Sequence, residues 1–194
     1  FEIFIGGAMR NPFLKLQNYN IGGSKTDSGH NDIILQMMEE FKDQIHIPID
    51  VRTGIITGKD KRKVTNLKYV NFLKSEKINA REEALDNGPG TMKLYNKIIK
   101  QNGIKTILAN GPFGLIENRS FRFGTFQVAR IFLENQQAFR VYGGGEINHG
   151  FNLFSRQFKI DNEKLGEQCN AGNGMLQYIA NEGDLPGLRA LSYG

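Results

Sequence analysis

The feature that most constrains this chain is a glycine-rich corner between an apolar run and a helical segment. Residues 138–142 have the composition of a β-strand, Gly143, Gly144 and Gly145 follow, and residues 147–156 have the spacing of a helix. Glycine lets the backbone approach a ligand closely, and a helix start offers unpaired N–H groups with a partial positive charge. The corner is therefore a candidate anion-binding site, although a tight turn without a ligand explains a single copy equally well.

Two further segments repeat this design. Gly172-Asn173-Gly174 precedes the helical segment 175–180, and Asn110-Gly111-Pro112-Phe113-Gly114 follows the apolar run 106–109. Ligands of open α/β sheets bind outside the carboxyl ends of the strands. Three glycine corners after three apolar runs thus predict one phosphate-binding edge.

Strand-like and helix-like segments alternate along the chain. This alternation is typical of the α/β class, with a doubly wound, Rossmann-like parallel sheet and helices on both faces. The predicted strands are residues 1–5, 45–51, 105–109, 138–142 and 164–169, and the predicted helices are residues 9–16, 33–41, 91–101, 121–133, 147–156 and 175–181. Residues 53–79 are the least predictable. There a basic cluster (Lys59, Lys61, Arg62 and Lys63) favours a solvated hairpin tip, with a substrate-facing patch as the alternative.

Composition narrows the class of protein. A length of 194 residues predicts one domain or one large piece of a domain, and 39% hydrophobic residues are enough for a core. A net charge of +5 favours phosphate-bearing ligands without predicting a nucleic-acid partner. The single Cys169 excludes a disulfide framework and gives no basis for a metal cluster. His30 and His46 have no partners at metal or triad spacing and are interpreted as surface residues. His149 is interpreted as a helix-surface residue, with general acid/base work as the alternative. Arg119 and Arg122 are interpreted as surface charges, with contact to a missing half of the molecule as the alternative.

Cellular location is predicted from what the sequence lacks. No apolar run approaches the ~20 residues of a membrane span, and no secretory signal is recognisable, so we expect a cytoplasmic protein without a membrane partner. The chain opens at Phe1 within a strand-like run and without an initiator Met. We therefore expect an upstream part of the molecule to be missing.

Five motifs, in order, resemble the carboxy-terminal, nucleotide-binding half of phosphoglycerate kinase. The most diagnostic is Asn110-Gly111-Pro112-Phe113-Gly114-Leu115-Ile116-Glu117, which resembles the family's Asn-Gly-Pro-Met-Gly-Val-Phe-Glu. The others are Ile5-Gly6-Gly7-Ala8-Met9 with Phe13-Leu14-Lys15, Leu85-Asp86-Asn87-Gly88-Pro89 with Thr91, Gly143-Gly144-Gly145-Glu146, and Asn170 to Gly174 followed by Leu185-Pro186-Gly187-Leu188. The resemblance covers nearly the whole chain.

The resemblance implies reversible phosphoryl transfer between 1,3-bisphosphoglycerate and MgADP, giving 3-phosphoglycerate and ATP. Residues 1–194 would be the nucleotide-binding domain, incomplete at its amino terminus, where the family keeps a Gly-Gly-Ala-Lys segment. Phosphoglycerate would bind to the missing amino-terminal domain. The chain alone is then expected to bind ATP or ADP with Mg²⁺, weakly at best, and not to turn over.

The resemblance also implies roles for particular residues. Gly144, Gly145, Gly172 and Gly174 would bring backbone N–H groups to the transferring phosphoryl as the catalytic groups, and Glu146 would hold the nucleotide-bound Mg²⁺. Helix capping in the first turn is the alternative for Glu146. Glu117 would accept hydrogen bonds from the ribose. The implied nucleotide-binding residues are Gly6, Gly7, Ala84, Leu85, Asn110, Gly111, Pro112, Glu117, Gly144, Gly145, Glu146 and Ile147.

Departures from the family pattern leave a second hypothesis open. Ile147 replaces a Ser or Thr, Ala171 replaces a Thr, and Asn173 replaces a glycine. These changes are compatible with a catalytically degenerate relative that serves as a nucleotide-binding or interaction module. A dehydrogenase-type dinucleotide binder would need Gly-x-Gly-x-x-Gly with an acidic residue ~20 positions on, and no such pair is visible.

Overall fold

A computed structural model describes residues 1–58 and 63–192, which fold into two compact units. Unit 1 comprises Phe1–Ile104 and Pro112–Ile131, and unit 2 comprises Lys105–Gly111 and Phe132–Gly194. Three residues of the predicted basic cluster (Lys59, Lys61 and Arg62) lie outside the described residues.

Unit 2 contains a parallel sheet, and the glycine corners follow the carboxyl ends of its strands. Its strands are β6 (Thr106–Asn110), β7 (Phe139–Gly143) and β8 (Glu167–Cys169), and its helices are α5 (Gly145–Phe158), α6 (Gly172–Ala180) and α7 (Pro186–Ser192). The strands pair in the order β6-β7-β8 with Asn110 opposite Gly143 and Gly143 opposite Cys169. The carboxyl ends are therefore level, and the segments that follow them start side by side.

A cluster of three aromatic side chains packs between β7 of this sheet and the helices of the same unit. Phe132, Tyr142 and Phe151 are all buried. The Tyr142 and Phe151 rings lie 4.5 Å apart between centroids, and Phe132 meets both rings edge-on at 6.1 Å and 5.3 Å. Because buried aromatic rings contribute large apolar areas, this cluster fixes β7 against α5 immediately before the Gly143–Gly145 corner.

Unit 1 contains a parallel pair and an antiparallel sheet. Its strands are β1 (Ile3–Phe4), β2 (Ile45–His46), β3 (Asp50–Ile56), β4 (Val64–Asn71) and β5 (Glu83–Asn87). Its helices are α1 (Arg10–Leu16), α2 (Asn31–Glu40), α3 (Pro89–Gln101) and most of α4 (Phe123–Glu134). β1 pairs with β2 in parallel, whereas β4, β3 and β5 pair antiparallel in that order.

The α/β class with parallel strands is confirmed, and the structure adds detail that the pattern did not predict. The predicted strand 45–51 is two strands, β2 and β3, which belong to different sheets and are separated by a segment containing Pro48. Proline cannot donate to a strand ladder, which suits such a break. The hairpin that the basic cluster suggested is present as β3 and β4, and a short hairpin connection imposes antiparallel pairing on its strands.

Four helices (α2, α3, α5 and α6) begin two or three residues earlier than predicted, and the changes in α5 and α6 concern the glycine corners. α5 begins at Gly145 instead of residue 147, and α6 begins at Gly172 instead of residue 175. Glycine has a low helix propensity, so a sequence pattern places helix starts after it. The structure instead makes the corner glycines the first turns of the helices.

Candidate functional site

Residues of all three glycine corners that belong to unit 2 surround one open cavity of about 460 Å³. It is lined by the carboxyl-terminal end of β6 with the residue after it, by the start of α5, and by the segment that leads from β8 into α6: Asn110, Gly111, Gly144, Gly145, Glu146, Asn170, Ala171, Gly172, Asn173 and Gly174. The structure thus brings together the predicted catalytic glycines and the predicted nucleotide-binding residues Asn110, Gly111 and Glu146. Ile147 lies in the first turn of α5, but its side chain is buried and does not line the cavity.

Two glycines allow the corners to approach each other closely. A Cβ placed on Gly172 would lie 2.8 Å from the Cα of Gly144 and 2.6 Å from the Oδ1 of Asn110. Gly144 has φ +106° and ψ 144°, a backbone conformation open essentially to glycine alone. A side chain at either position would therefore strain the backbone or push the two helix starts apart.

Helices α5 and α6 both begin at the cavity, so their amino-terminal ends, which carry a partial positive charge, face it. Gly144 caps α5, and the first intrahelical bond runs from the Asn148 N–H to the Gly144 carbonyl over 3.1 Å. In α6 the corresponding bond runs from the Met175 N–H to the Ala171 carbonyl over 2.7 Å. Backbone N–H groups before these positions have no intrahelical acceptor, and the helix dipole favours an anion beside them. Two such ends at one cavity suit a ligand with more than one phosphate.

Glu146 is an exposed side chain in the first turn of α5. Among the described residues, no group of three or more His, Cys, Asp or Glu side chains could hold a metal ion. Mg²⁺ keeps several waters and is held in many nucleotide sites by one or two carboxylates together with the phosphates. A single carboxylate beside this cavity would fit a metal that arrives together with a phosphate-bearing ligand.

In unit 1, the predicted residues Gly6, Gly7 and Pro112 lie together. Gly7 has φ +58°, and its N–H donates to the carbonyl of Phe113 over 3.2 Å. A Cβ on Gly7 would lie 2.5 Å from the Pro112 carbonyl oxygen, and one on Gly6 would lie 2.5 Å from the Phe113 ring. Both glycines are therefore required for this segment to pack against the turn at Pro112.

The other predicted residues of unit 1 are differently placed. Ala84 and Leu85 are buried in β5, and the Leu85 carbonyl accepts from the Leu115 N–H over 2.9 Å. Glu117 is exposed in the segment after Leu115. Glu117 and Glu146 are thus accessible carboxylates, whereas Ala84 and Leu85 are packed.

Sequence reasoning gave no functional role to Arg10 and Asp86, two buried charges of unit 1. Arg10 is 2% exposed and donates to the carbonyls of Phe113 and Ala84 and to the Oδ1 of Asn87. The Asp86 carboxylate is fully buried and accepts from the Gly124 N–H at the start of α4, over 3.0 Å. Arg10 lies in the predicted helix 9–16 and Asp86 in one of the family motifs, but only the tertiary structure shows that both side chains are buried.

Burial raises the pKa of the Asp86 carboxyl from 3.8 to about 7, against the opposing effects of backbone N–H donors and the positive charge of Arg10. A folded-state pKa above the unfolded value means that folding favours the protonated carboxyl. Its stabilising contribution is then fully present below pH 3.8 and is lost as the pH rises through about 7. The local fold of unit 1 should weaken over this window.

Comparison with known proteins gives the family. The sequence model of the phosphoglycerate kinase family matches residues 2–180. The chain belongs to the phosphoglycerate kinase family. It is 29% identical over 191 residues to the phosphoglycerate kinase of Staphylococcus carnosus and 29% identical over 196 residues to that of Macrococcus caseolyticus. In both comparisons the match covers 98% of this chain and 44% of the relative.

Solved structures of the family share the fold. The phosphoglycerate kinase of Coxiella burnetii superposes with a TM-score of 0.77 at 24% identity, covering 99% of this chain and 46% of that chain. The enzyme of Pyrococcus horikoshii superposes with a TM-score of 0.73 at 21% identity, covering 98% and 45%. The chain therefore spans less than half the length of the family members that it matches.

The family departures have identifiable places in the structure. Ile147 is 1% exposed, so the position where the family carries a hydroxyl holds a side chain buried in the apolar core. Ala171 caps α6, and Asn173 lies in the first turn of that helix; both are exposed and line the cavity. Within the described residues, no helix is long and apolar enough to cross a membrane.

Proposed function

We propose that the cavity in unit 2 binds the phosphates of an adenine nucleotide and that the chain is the nucleotide-binding half of a phosphoglycerate kinase. The observation that carries the proposal is the meeting of two helix starts, α5 and α6, at one open cavity with glycine backbones in contact. The proposed substrate class, an adenine nucleotide, follows from membership of the phosphoglycerate kinase family. Both units, residues 1–194, are assigned to this half.

In the proposed reaction of the full-length protein, a phosphoryl group passes from the acyl phosphate of 1,3-bisphosphoglycerate to the terminal phosphate oxygen of ADP. The products are 3-phosphoglycerate and ATP, and the reaction is reversible. Phosphoryl transfer depends mainly on positioning and on charge stabilisation. Backbone N–H groups of Gly145, Gly172 and Gly174 would supply that stabilisation from two sides, and they need no reorganisation because the corners are already built.

The rim carboxylate has a separate role in the proposal. Glu146 would hold Mg²⁺, which would supply positive charge that neutralises the phosphates. The residues of unit 1 named by the family resemblance (Gly6, Gly7, Ala84, Leu85, Pro112 and Glu117) keep their adenine and ribose roles as predictions. In the proposal, phosphoglycerate binds to an amino-terminal half that these 194 residues do not include, so the 194 residues alone are expected to bind nucleotide without turnover. A cytoplasmic location also stays a prediction.

Calorimetric titration of the chain with MgADP and MgATP, with NAD as a control ligand, tests this proposal. Glu146→Gln should weaken MgADP binding by about tenfold, since one charged contact contributes about 1.5 kcal/mol. The effect should shrink when Mg²⁺ is omitted. Glu163→Gln is the matched control, because Glu163 is an exposed glutamate of the same unit in a 3₁₀ turn outside the cavity lining. Absence of MgADP binding, or equal effects of the two substitutions, would contradict the proposal.

The buried Ile147 favours a second candidate function, a degenerate relative that retains nucleotide binding without catalysis. Such a protein would bind MgADP at the same cavity, so binding does not separate the two hypotheses. Turnover of 1,3-bisphosphoglycerate by a full-length form of the protein does. Activity that rises in Ile147→Thr would indicate a site weakened by the missing hydroxyl, whereas no activity in either form would favour the degenerate relative.

A further inference from the structure

Asn148 connects the starts of α5 and α6 through hydrogen bonds. It lies on α5 and is 6% exposed. Its Nδ2 donates to the Cys169 carbonyl over 3.2 Å and to the Oδ1 of Asn170 over 3.1 Å, and its own N–H donates to the Gly144 carbonyl. One residue thus contacts both the cap of α5 and the segment that leads into α6.

The hydrogen bonds of Asn148 are not needed to satisfy its partners. The Cys169 carbonyl also accepts from the Gly144 N–H over 3.1 Å, and the Oδ1 of Asn170 also accepts from the Nε2 of Gln168 over 3.0 Å. Removing the Asn148 amide would therefore leave neither acceptor unpaired. The usual penalty for deleting a buried hydrogen-bond partner does not apply here.

The carbonyl oxygen of the Asn148 side-chain amide, in contrast, lowers the stability of the fold. The Oδ1 of Asn148 is buried without a hydrogen-bond partner among the described residues. An unpaired buried polar atom opposes folding, and an apolar side chain of similar volume would avoid it. Asn148 is therefore poorly explained as a residue that stabilises the core, and its bridging contacts point to a different role.

We propose that Asn148 is a positioning residue for phosphate binding. By joining the α5 start to the Cys169–Asn170 segment, it fixes the spacing between the N–H groups of the two helix starts without touching the ligand. This inference rests on the proposed nucleotide function of the cavity. Its distinctive consequence is that loss of the amide lowers ligand affinity while leaving stability intact.

The experiment compares Asn148→Leu with Asn152→Leu in the 194-residue chain. Asn152 lies four residues further along α5, and its Oδ1 accepts a bond from the Nδ2 of Asn162 over 2.7 Å. The control therefore removes a side-chain amide from the same helix outside the cavity. MgADP and inorganic pyrophosphate are titrated calorimetrically, and thermal unfolding is followed by circular dichroism.

For Asn148→Leu we expect a melting temperature equal to or above that of the parent chain and affinities for both ligands about 3- to 10-fold weaker, the range set by one hydrogen bond. Asn152→Leu should leave both affinities unchanged. Asn170→Ala should weaken binding as well, and the double variant with Asn148→Leu should bind no more weakly than Asn148→Leu alone, because both changes break the same bridge.

The outcomes separate this inference from the function on which it rests. If the parent chain binds neither MgADP nor pyrophosphate, the proposed function fails and the inference fails with it. If the parent chain binds and Asn148→Leu binds equally well, only the inference is overturned. A fall in affinity matched by an equal fall in Asn152→Leu, or one accompanied by a large loss of melting temperature, would also overturn it, because general destabilisation would then be sufficient.

Discussion

Substitution of Gly172 by alanine directly tests the close approach of the two helix starts. The added Cβ would lie 2.8 Å from the Cα and 2.9 Å from the N of Gly144, and 2.6 Å from the Oδ1 of Asn110. Carbon–carbon contacts normally lie at about 3.5–4.0 Å. The Gly144 backbone would therefore have to move by roughly 1 Å, and it cannot rotate away as a flexible side chain could.

Overpacking of this kind costs about 1–3 kcal/mol, and replacing glycine by alanine in a helix returns up to about 1 kcal/mol. We expect a net loss of about 1–2 kcal/mol. For a chain of this size each kcal/mol lowers the melting temperature by about 2–4 °C, so the shift should be about 2–8 °C. Urea unfolding, with the slope of the free energy against urea compared between variants, measures the loss independently of temperature.

Gly145→Ala is the matched stability control. It is also a glycine-to-alanine change in the first turn of a helix at the cavity, but a Cβ there would have no heavy atom within 4 Å. Its stability should be unchanged or slightly higher. Equal unfolding free energies for Gly172→Ala and Gly145→Ala would refute the close packing of Gly144 against Gly172.

Two further predictions concern the buried carboxylates of unit 1. Asp86→Asn removes the group whose pKa is raised from 3.8 to about 7. The parent chain should therefore lose up to about 4 kcal/mol of unfolding free energy between about pH 4 and pH 7, at about 1.4 kcal/mol per pKa unit, and the variant should not. Parallel pH profiles from urea unfolding would refute the assignment. Asp50 accepts from the Gly90 N–H over 2.9 Å and from the Thr91 N–H over 2.7 Å at the start of α3. Asp50→Ala should lower the free energy of unfolding by about 2–3 kcal/mol because it leaves buried donors unpaired. The control Asp32→Ala, at an exposed site in the first turn of α2, should lower it by less than about 0.5 kcal/mol. Equal losses in urea unfolding would contradict the capping role.

Strands, helices and turns whose conformation depends on residues close together in the sequence were predicted from the sequence. The run 138–142 and the glycines after it predicted a strand that turns into a helix, and β7 with α5 confirms this. Gly103, just after α3, has φ +57°, as expected for a glycine that ends a helix. The helix starts at Gly145 and Gly172 were missed because glycine lowers helix propensity. Whether the N–H groups at these starts can reach a ligand depends on the neighbouring corner, which only the tertiary structure shows.

The sequence by itself determined the family, the α/β class and the order of the glycine corners, because turn geometry and hydrophobic period are set within a few residues along the chain. Only the tertiary structure decided that Gly172 touches Gly144, that Asn148 bridges the corners, and that Arg10 is buried against a carbonyl 103 residues away. These contacts join residues far apart in sequence. Their energies depend on distance, burial and unpaired polar atoms, and none of these has a local pattern from which it could be predicted.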